Sequence, residues 1–321
     1  MSDTARPLVS AIVLCYNQSR YVRETLASVK AQTYPAVQLI LVDDCSADDS
    51  VPVIERWLRE TGTECEFIRH RQNQGICKSL NEALTVARGK YISMTAADDL
   101  WLPDKLARQV EIMDSESDHV GVLYSDAFQI DERGQLLPEM FIAAHRKLPE
   151  MPQGRILDTL LVDNFIPGMT ALIRRSCYDR IGLYDETLPW EDWDMWLRIA
   201  RRYSFLFSPA PSAKYRVHDK SLTHSNQPIM AKGGLKIILK QFAMGDLTGA
   251  QKTMLVSRVL YWAEEMYRAN DPEASDLLLA AWHATGQRRT QWMYRFQRCG
   301  LSFHSWQRAD SARAVLKSFR S

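Results

Sequence analysis

An excess of charge of one sign is missing from this chain. Its 321 residues carry 40 Lys plus Arg against 39 Asp plus Glu, with seven His, for a formal net charge of +1. A polybasic nucleic-acid binder needs surplus Lys and Arg to displace phosphate counterions, so nucleic acid is excluded as a partner. A disordered acidic chain is excluded as well, because 46% of the residues are hydrophobic, enough to bury a core. Long apolar runs are absent: no stretch approaches the roughly 18–20 residues that span a bilayer. Residues 1–7 lack the apolar core of a secretion signal, and a cytoplasmic location is expected. None of the six cysteines, at 15, 45, 65, 77, 177 and 299, forms a C-x-x-C pair. Most lie in or beside apolar runs and read as buried free thiols rather than a zinc site or a disulfide framework. There is no low-complexity tract and no fixed-period repeat.

What is present is an alternation of strand and helix patterns. Residues 8–14 read as a strand, and 22–31 as a helix with Val22, Leu26 and Val29 on one face. The apolar run 37–42 is a second strand ending in Asp43-Asp44-Cys45-Ser46. A helix near 50–61, a strand at 66–70, and a helix carrying Leu80, Ala83, Leu84 and Ala87 follow. Residues 90–95 form a fourth strand that ends at Ala96-Ala97-Asp98-Asp99. Further strands are expected at 120–124 and 169–173, a loop over the active face at 134–155, a helix beginning at Glu191-Asp192, and a closing segment Tyr215-Arg216-Val217-His218. Strands apolar on both faces and alternating with helices imply an α/β fold with a mostly parallel sheet. From about 228 the strand signal vanishes, so the expected organisation is a catalytic domain at 1–227 and an all-helical extension at 228–321. Gly245, Gly249, Pro272 and Gly286 punctuate that extension.

In an open α/β sheet the ligand sits at the carboxyl ends of the strands, and two separate strands end there in paired aspartates. Two carboxylates beside a core are costly unless a cation neutralises them. For Asp98-Asp99, Mg²⁺ or Mn²⁺ would do so and bridge to phosphate oxygens; a solvated turn or cap is the bland alternative. Asp44 could accept hydrogen bonds from a nucleobase, with Tyr16 stacked on the ring, against the plainer readings of a turn and a packing residue. Asn73-Gln74-Gly75, with Lys78 and Asn81 beyond, could close over a nucleotide, Lys78 reaching its diphosphate; an isolated Asn-x-Gly otherwise marks a turn. Glu191-Asp192 opens a helix, where it could cap the first turn or aim a general base at a substrate hydroxyl. Asp194 points elsewhere, to solvent or a neighbour. His218 could ligate a metal, contact a phosphate or simply pack.

Taken in order, these pieces resemble glycosyltransferase family 2, with its GT-A fold. The series is Val9-Ser10-Ala11-Ile12-Val13 with Tyr16-Asn17; Ser28-Val29 and Gln32-Thr33-Tyr34-Pro35; Leu41-Val42-Asp43-Asp44-Cys45-Ser46; Asn73-Gln74-Gly75 with Asn81; Ala87-Arg88-Gly89-Lys90-Tyr91-Ile92; Asp98-Asp99; Glu191-Asp192-Trp193-Asp194; and Tyr215-Arg216-Val217-His218. It covers residues 7–225, and the specificity lies in order and spacing. The resemblance implies a hexosyltransferase-type enzyme taking a nucleotide diphosphate sugar, a UDP-sugar favoured, with a divalent metal. It makes Asp44 the base-binding aspartate with Asp43 beside it, Tyr16 the stacking aromatic, Asp98 the ribose- or metal-facing member of a DxD-type pair, and Asp99 the metal-binding one. Alanine at 97 stands where some members carry a further Asp. Asp192 becomes the catalytic base, Glu191 the less favoured candidate, and transfer proceeds with inversion. The segment Gln-x-x-Arg-Trp and the membrane helices of processive synthases are missing, which favours a single transfer over polymerisation. A sugar or lipid-linked acceptor in surface polysaccharide or glycolipid assembly is the implied setting.

Two rivals remain. A nucleotidyltransferase should carry a glycine-rich phosphate loop after the first strand, and residues 15–20 contain no glycine. A non-catalytic nucleotide-sugar-binding or scaffold protein would not need Glu191-Asp192 beside both aspartate pairs. The extension holds Trp262, Trp282, Trp292 and Trp306 with Arg288-Arg289, Arg295 and Arg298. These aromatics are a packed core on one reading. Peripheral membrane contact and self-association stay open.

Overall fold

The apolar run near the start folds as β1 (Val9–Cys15), buried along nearly its whole length. It pairs in parallel with β2 (Val37–Asp43) on one side and β4 (Tyr91–Ala96) on the other, and β3 (Glu66–Arg69) extends the sheet beyond β2. Helices α1 (Val22–Lys30), α2 (Ser50–Thr61) and α3 (Ile76–Val86) connect these strands. Each turns one apolar stripe to the core, as Val22, Leu26 and Val29 do on α1. The protein is described by a computed structural model covering residues 6–148, 150–219, 227–269, 271, 273–308 and 310. Two compact units make it up, Met1–His218 and Asp219–Ser321; the undescribed residues 220–226 separate the last strand of one from the first helix of the other.

The first unit holds a nine-stranded sheet in the order β3-β2-β1-β4-β8-β6-β9-β5, with β7 beside β6. The remaining strands are β5 (Leu100–Trp101), β6 (Val120–Ile130), β7 (Leu136–Met140), β8 (Leu172–Arg174) and β9 (Ser204–Arg216). Helix α4 (Lys105–Ser115) follows β5, and α5 (Phe141–His145), α6 (Leu157–Val162), α7 (Arg175–Ile181) and α8 (Asp192–Ala200) lie between β7 and β9. The sheet is mixed: β8 runs antiparallel to both β4 and β6, whereas β9 runs parallel to β6. Strands β1, β2 and β4 therefore end on one edge, and β9 ends there too.

Two local departures from the sequence pattern have plain causes. The segment 134–155 is not wholly loop: Leu136–Met140 pairs with β6 and Phe141–His145 makes one helical turn. Buried Asp126, in β6, holds that turn by accepting the Ile142 N–H at 2.9 Å. Strand β9 escapes the pattern because Pro209 and Pro211 interrupt it. Its register against β6 shifts where Ser125 faces Ser208 and Ala127 faces Ala213, so the prolines occupy a bulge, where a missing N–H does no harm.

The second unit is helical: α9 (Gln227–Ala243), α10 (Gly249–Arg268), α11 (Ala274–Thr285) and α12 (Arg288–Arg298). A capping box at Thr248 and Gln251 starts α10, and Gly286, left-handed at φ 66°, ends α11. Gly234 permits close approach of α9 to α10, since a Cβ there would meet the Trp262 ring at 2.5 Å. Trp306 is buried against Tyr267 and Phe303, while Trp262, Trp282 and Trp292 are half-buried. Pro272 lies outside the described residues. No helix among the described residues is long and apolar enough to cross a membrane. The six cysteines are free thiols, with Cys15, Cys77 and Cys177 buried.

Gly89 sits where the chain enters β4 against β1. Its N–H and that of Arg88 both donate to Ser10 Oγ, at 2.9 and 3.2 Å, and a Cβ would meet Ser10 N at 2.5 Å and Tyr91 O at 2.6 Å. Backbone atoms cannot yield as side-chain tips do, so Gly89→Ala should cost on the order of 2–4 kcal/mol, read as a drop in the denaturant midpoint. An unchanged midpoint would show that the entry to β4 is freer than described.

Candidate active site

The carboxyl edge of β1, β2 and β4 gathers the acidic pairs. Beyond β1, Tyr16 stands half exposed and Asn17 takes a left-handed φ of 54°. Asn17 joins the β1 and β2 ends: its N–H donates to Ser46 Oγ and its Oδ1 accepts the Ala47 N–H, both at 2.8 Å. At the end of β2, Cys45 is also left-handed (φ 64°). That fold-back lets the Ser46 N–H and hydroxyl donate to the two oxygens of buried Asp43, at 2.9 and 2.6 Å. Strain of this kind gathers where a loop must present groups to a ligand.

Asp44 organises the neighbouring loop. Its Oδ1 accepts the Gln74 N–H at 2.8 Å and its Oδ2 the Gly75 N–H at 2.9 Å, while Asn73 Nδ2 reaches its carbonyl at 3.4 Å. His70, at the end of β3, lies with Nδ1 2.7 Å from Asp44 Oδ1 and Nε2 2.5 Å from Glu82 Oε2. Burial disfavours the charged imidazole, but the two carboxylates outweigh it and raise its pKa. Sequence reasoning passed over His70, although it is a polar residue at a strand end, the same cue that singled out the aspartates. Gly75, at φ 85°, precedes α3, and Lys78 is exposed on that helix's first turn. Asn81 faces the other way: it clasps the Tyr184 backbone through both its oxygen and its amide, at 2.8 and 3.0 Å, and reaches Glu186 at 2.9 Å.

The second pair is divided between two environments. Asp98 Oδ2 lies 2.9 Å from His218 Nε2 and accepts from Gln18 Nε2 at 3.1 Å. Asp99 points inward, its Oδ1 accepting the Arg216 N–H at 2.9 Å. Burial, reinforced by the charge of Asp98, holds the Asp99 carboxyl well above the usual range. Arg216 is buried beneath both: its Nε donates to Asp98 O at 2.9 Å and its Nη2 to Glu24 at 2.8 Å, with the guanidinium 4.5 Å from the Tyr21 ring centre. The sequence placed Arg216 in a motif without a task. Among the described residues no group of three or more His, Cys, Asp or Glu is poised to hold a metal. Asp98 and His218 supply an oxygen and a nitrogen donor side by side, a set that suits Mn²⁺ or Mg²⁺ completed by ligand oxygens.

Glu191 and Asp192 lie at the start of α8. Asp192 Oδ1 accepts the Trp193 N–H at 2.6 Å, and Oδ2 accepts from Asn164 Nδ2 at 2.9 Å. The buried Oδ1 of Asn164 has no hydrogen-bond partner among the described residues, and nothing in the sequence distinguished Asn164. Asp194 is buried and paired with Arg198 at 2.8 Å. Burial pushes both carboxyls of the Glu191–Asp192 pair up, with Asp192's charge adding to the rise at Glu191, which reaches about 8. Perturbed carboxyl pairs of this kind mark sites that accept or give protons.

An acidic strand-end edge, an Asp–His pair and a raised carboxyl pair on one unit narrow the families that fit. The glycosyl transferase family 2 model matches residues 10–182. The chain belongs to glycosyltransferase family 2. An uncharacterized glycosyltransferase of Rickettsia typhi is 31% identical over 224 residues, covering 70% of this chain and 68% of that protein. Two further rickettsial relatives, 30% and 29% identical, are longer, and the match spans 35% and 31% of their lengths. Among solved structures, Staphylococcus aureus TarS 1–349 in complex with UDP-GlcNAc has a TM-score of 0.60 at 18% identity, covering 92% of each chain. The mannosyltransferase PcManGT of Pyrobaculum calidifontis, with GDP-Man and Mn²⁺, gives 0.57 at 18% identity, covering 92% of this chain and 85% of that one. At such identities the likeness is one of fold, and the fold is GT-A. This glycosyltransferase thus unites a mixed α/β unit, which holds the family match, with a helical one.

Two outcomes follow from the geometry. Asp44→Ala removes the acceptor of two backbone N–H groups, so the Gln74 and Gly75 amides should exchange hydrogen at least about tenfold faster. Unchanged protection would mean that the loop stands without Asp44. Glu191 binds its proton more tightly folded than unfolded, so its contribution to stability is present below the ordinary value of 4.5 and lost as pH rises to about 8. Glu191→Gln stays neutral and should melt roughly 2–4 °C above the parent at pH 8. A parent whose melting is flat across that range would contradict the raised carboxyl.

Proposed function

We propose that this enzyme moves a single sugar, with inversion, from a nucleotide diphosphate sugar to an acceptor hydroxyl, with Asp192 as the base. The observation that carries this reading is the half-buried Glu191–Asp192 pair, in which Asn164 fixes one Asp192 oxygen and both carboxyls are raised above their ordinary values. Such a base holds the proton of an attacking hydroxyl better than an ordinary carboxylate does. The unpartnered Asn164 Oδ1 beside it is suited to accept a hydrogen bond from the incoming sugar. Glu191, bearing the higher proton affinity, keeps one negative charge rather than two at the pair.

On the donor side, half-exposed Tyr16 offers a face for the base, and Asp43 and Asp44 keep the loops on either side of it in place. Asn73 and Gly75 bring backbone toward the nucleotide, and Lys78 is free to meet the diphosphate. A UDP-sugar is favoured; the fold neighbours hold both UDP-GlcNAc and GDP-Man. Asp98 and His218 would hold a divalent metal, with Asp99 behind Asp98 securing the end of β9. When bound, the metal supplies Lewis-acid stabilisation of the leaving diphosphate. The chain's own residues orient the donor, with Gln18 fixing Asp98 at 3.1 Å. The acceptor is assigned to sugar or lipid-linked hydroxyls, in surface polysaccharide or glycolipid assembly on the cytoplasmic side.

The test is Asp192→Asn with a panel of UDP- and GDP-sugars. Donor binding, read by thermal shift, should be retained while transfer falls at least about 10³-fold. In the parent, kcat/KM should rise with pH as the pair sheds its proton, because only the deprotonated base accepts the hydroxyl hydrogen. Normal turnover by Asp192→Asn would remove the base assignment; stabilisation by no donor, with or without Mn²⁺, would count against the whole reading.

A further inference from the structure

The opposite edge of the catalytic sheet holds a second concave site. Strands β4, β6 and β9 begin there, and antiparallel β8 ends there, so Arg174 faces Tyr91 in register. Strand β4 spans six residues from this edge to Ala96, placing the two sites on the order of 20 Å apart at about 3.3 Å per residue. A cavity of about 700 Å³ opens at this edge, lined by Lys90, Arg174, Arg175, Arg180, Arg201 and Arg202, with Asp118 the only acid in its wall.

Three of these cations, Arg175, Arg180 and Arg202, form no ion pair among the described residues. Arg174 is buried and spends its donors on carbonyls, reaching Val120 O at 3.0 Å and Met113 O at 2.7 Å. Arg175 likewise donates to the Ala87 carbonyl. A carbonyl satisfies an N–H but leaves the positive charge whole. Lys90 pairs with Asp114, while Asp118 is 95% exposed and 3.5 Å from Arg174. Arg180 and Arg202 are exposed, and their guanidinium groups make no hydrogen bond or ion pair among the described residues. Like charges converging on one hollow repel unless an anion enters. Ser176, Tyr203 and His119 line the same hollow and add hydrogen-bonding groups.

We propose that this cavity binds phosphoryl groups, as a site separate from the donor edge. Guanidinium forks match phosphate oxygens two at a time, and several arginines around one hollow suit a doubly or triply charged group better than a lone carboxylate. The group comes either from a soluble phosphorylated molecule or from the headgroups of an anionic membrane.

The full chain, kept in EDTA, is titrated with inorganic pyrophosphate by calorimetry, and sedimented in parallel with phosphatidylglycerol and with phosphatidylcholine vesicles. R180E/R202E reverses two exposed charges outside the catalytic machinery and should melt and turn over as the parent does; R180A/R202A removes the charges with less disturbance. Pyrophosphate binding that weakens at least about tenfold in R180E/R202E, and less in R180A/R202A, identifies a soluble ligand. Recruitment to phosphatidylglycerol alone, lost in the same variants, identifies headgroups. No binding in either arm, or binding equal in parent and variants, overturns the site. The second result is also what pyrophosphate captured at the donor edge would give.

Discussion

Arg216 is the residue on which the acidic carboxyl edge of the sheet depends. Two adjacent aspartates at the end of a buried strand lose hydration and repel each other, and both effects raise the Asp99 carboxyl well above its usual range. The Arg216 guanidinium lies beneath them and bonds Asp98 O, Glu24 and Asp131 O, while its own N–H binds Asp99. One residue therefore anchors the end of β9 to the end of β4. His218, two residues further on, falls beside Asp98 as a consequence. Removing the guanidinium would leave the buried Asp98 carbonyl without its donor, the costly side of any hydrogen-bond exchange.

The same economy governs the other loops of that edge. Asp43 and Asp44 are adjacent yet serve different partners, because the left-handed Cys45 turns Ser46 back onto Asp43. Asp44 is left to bind the loop at Gln74 and Gly75. Donors come mostly from backbone N–H groups rather than from cations, so the edge keeps its acidic character while remaining satisfied. The opposite edge is built inversely, with arginines spent on carbonyls and the sign of the field reversed.

The parallel half of the sheet was legible because β1, β2 and β4 are apolar on both faces and end in polar clusters. The ordered motifs made the family legible too. Strand β9 was not, since Pro209 and Pro211 hide in a bulge that only pairing with β6 reveals. The partners of the functional groups were the least readable. Arg216 meets Asp99 across 117 positions and His218 meets Asp98 across 120, and no local pattern encodes such meetings. Asn164 is an ordinary loop residue until α8 brings Asp192 to it. His70 carried a cue, a polar side chain at a strand end, but a single His there reads like any other.

Helix α3 has a consequence for how this enzyme can vary. Its leading turn is fastened to Asp44 through Gly75, its Cys77 thiol meets Leu188 O at 3.5 Å, and its Asn81 grips Tyr184. The loop at Asn73–Gly75 and the segment leading to Glu191-Asp192 are thus attached to one rigid rod, which works as a gauge block between the two acidic pairs at its ends. A single-residue insertion within α3 would turn its far end by about 100°, and one of the two attachments would be lost.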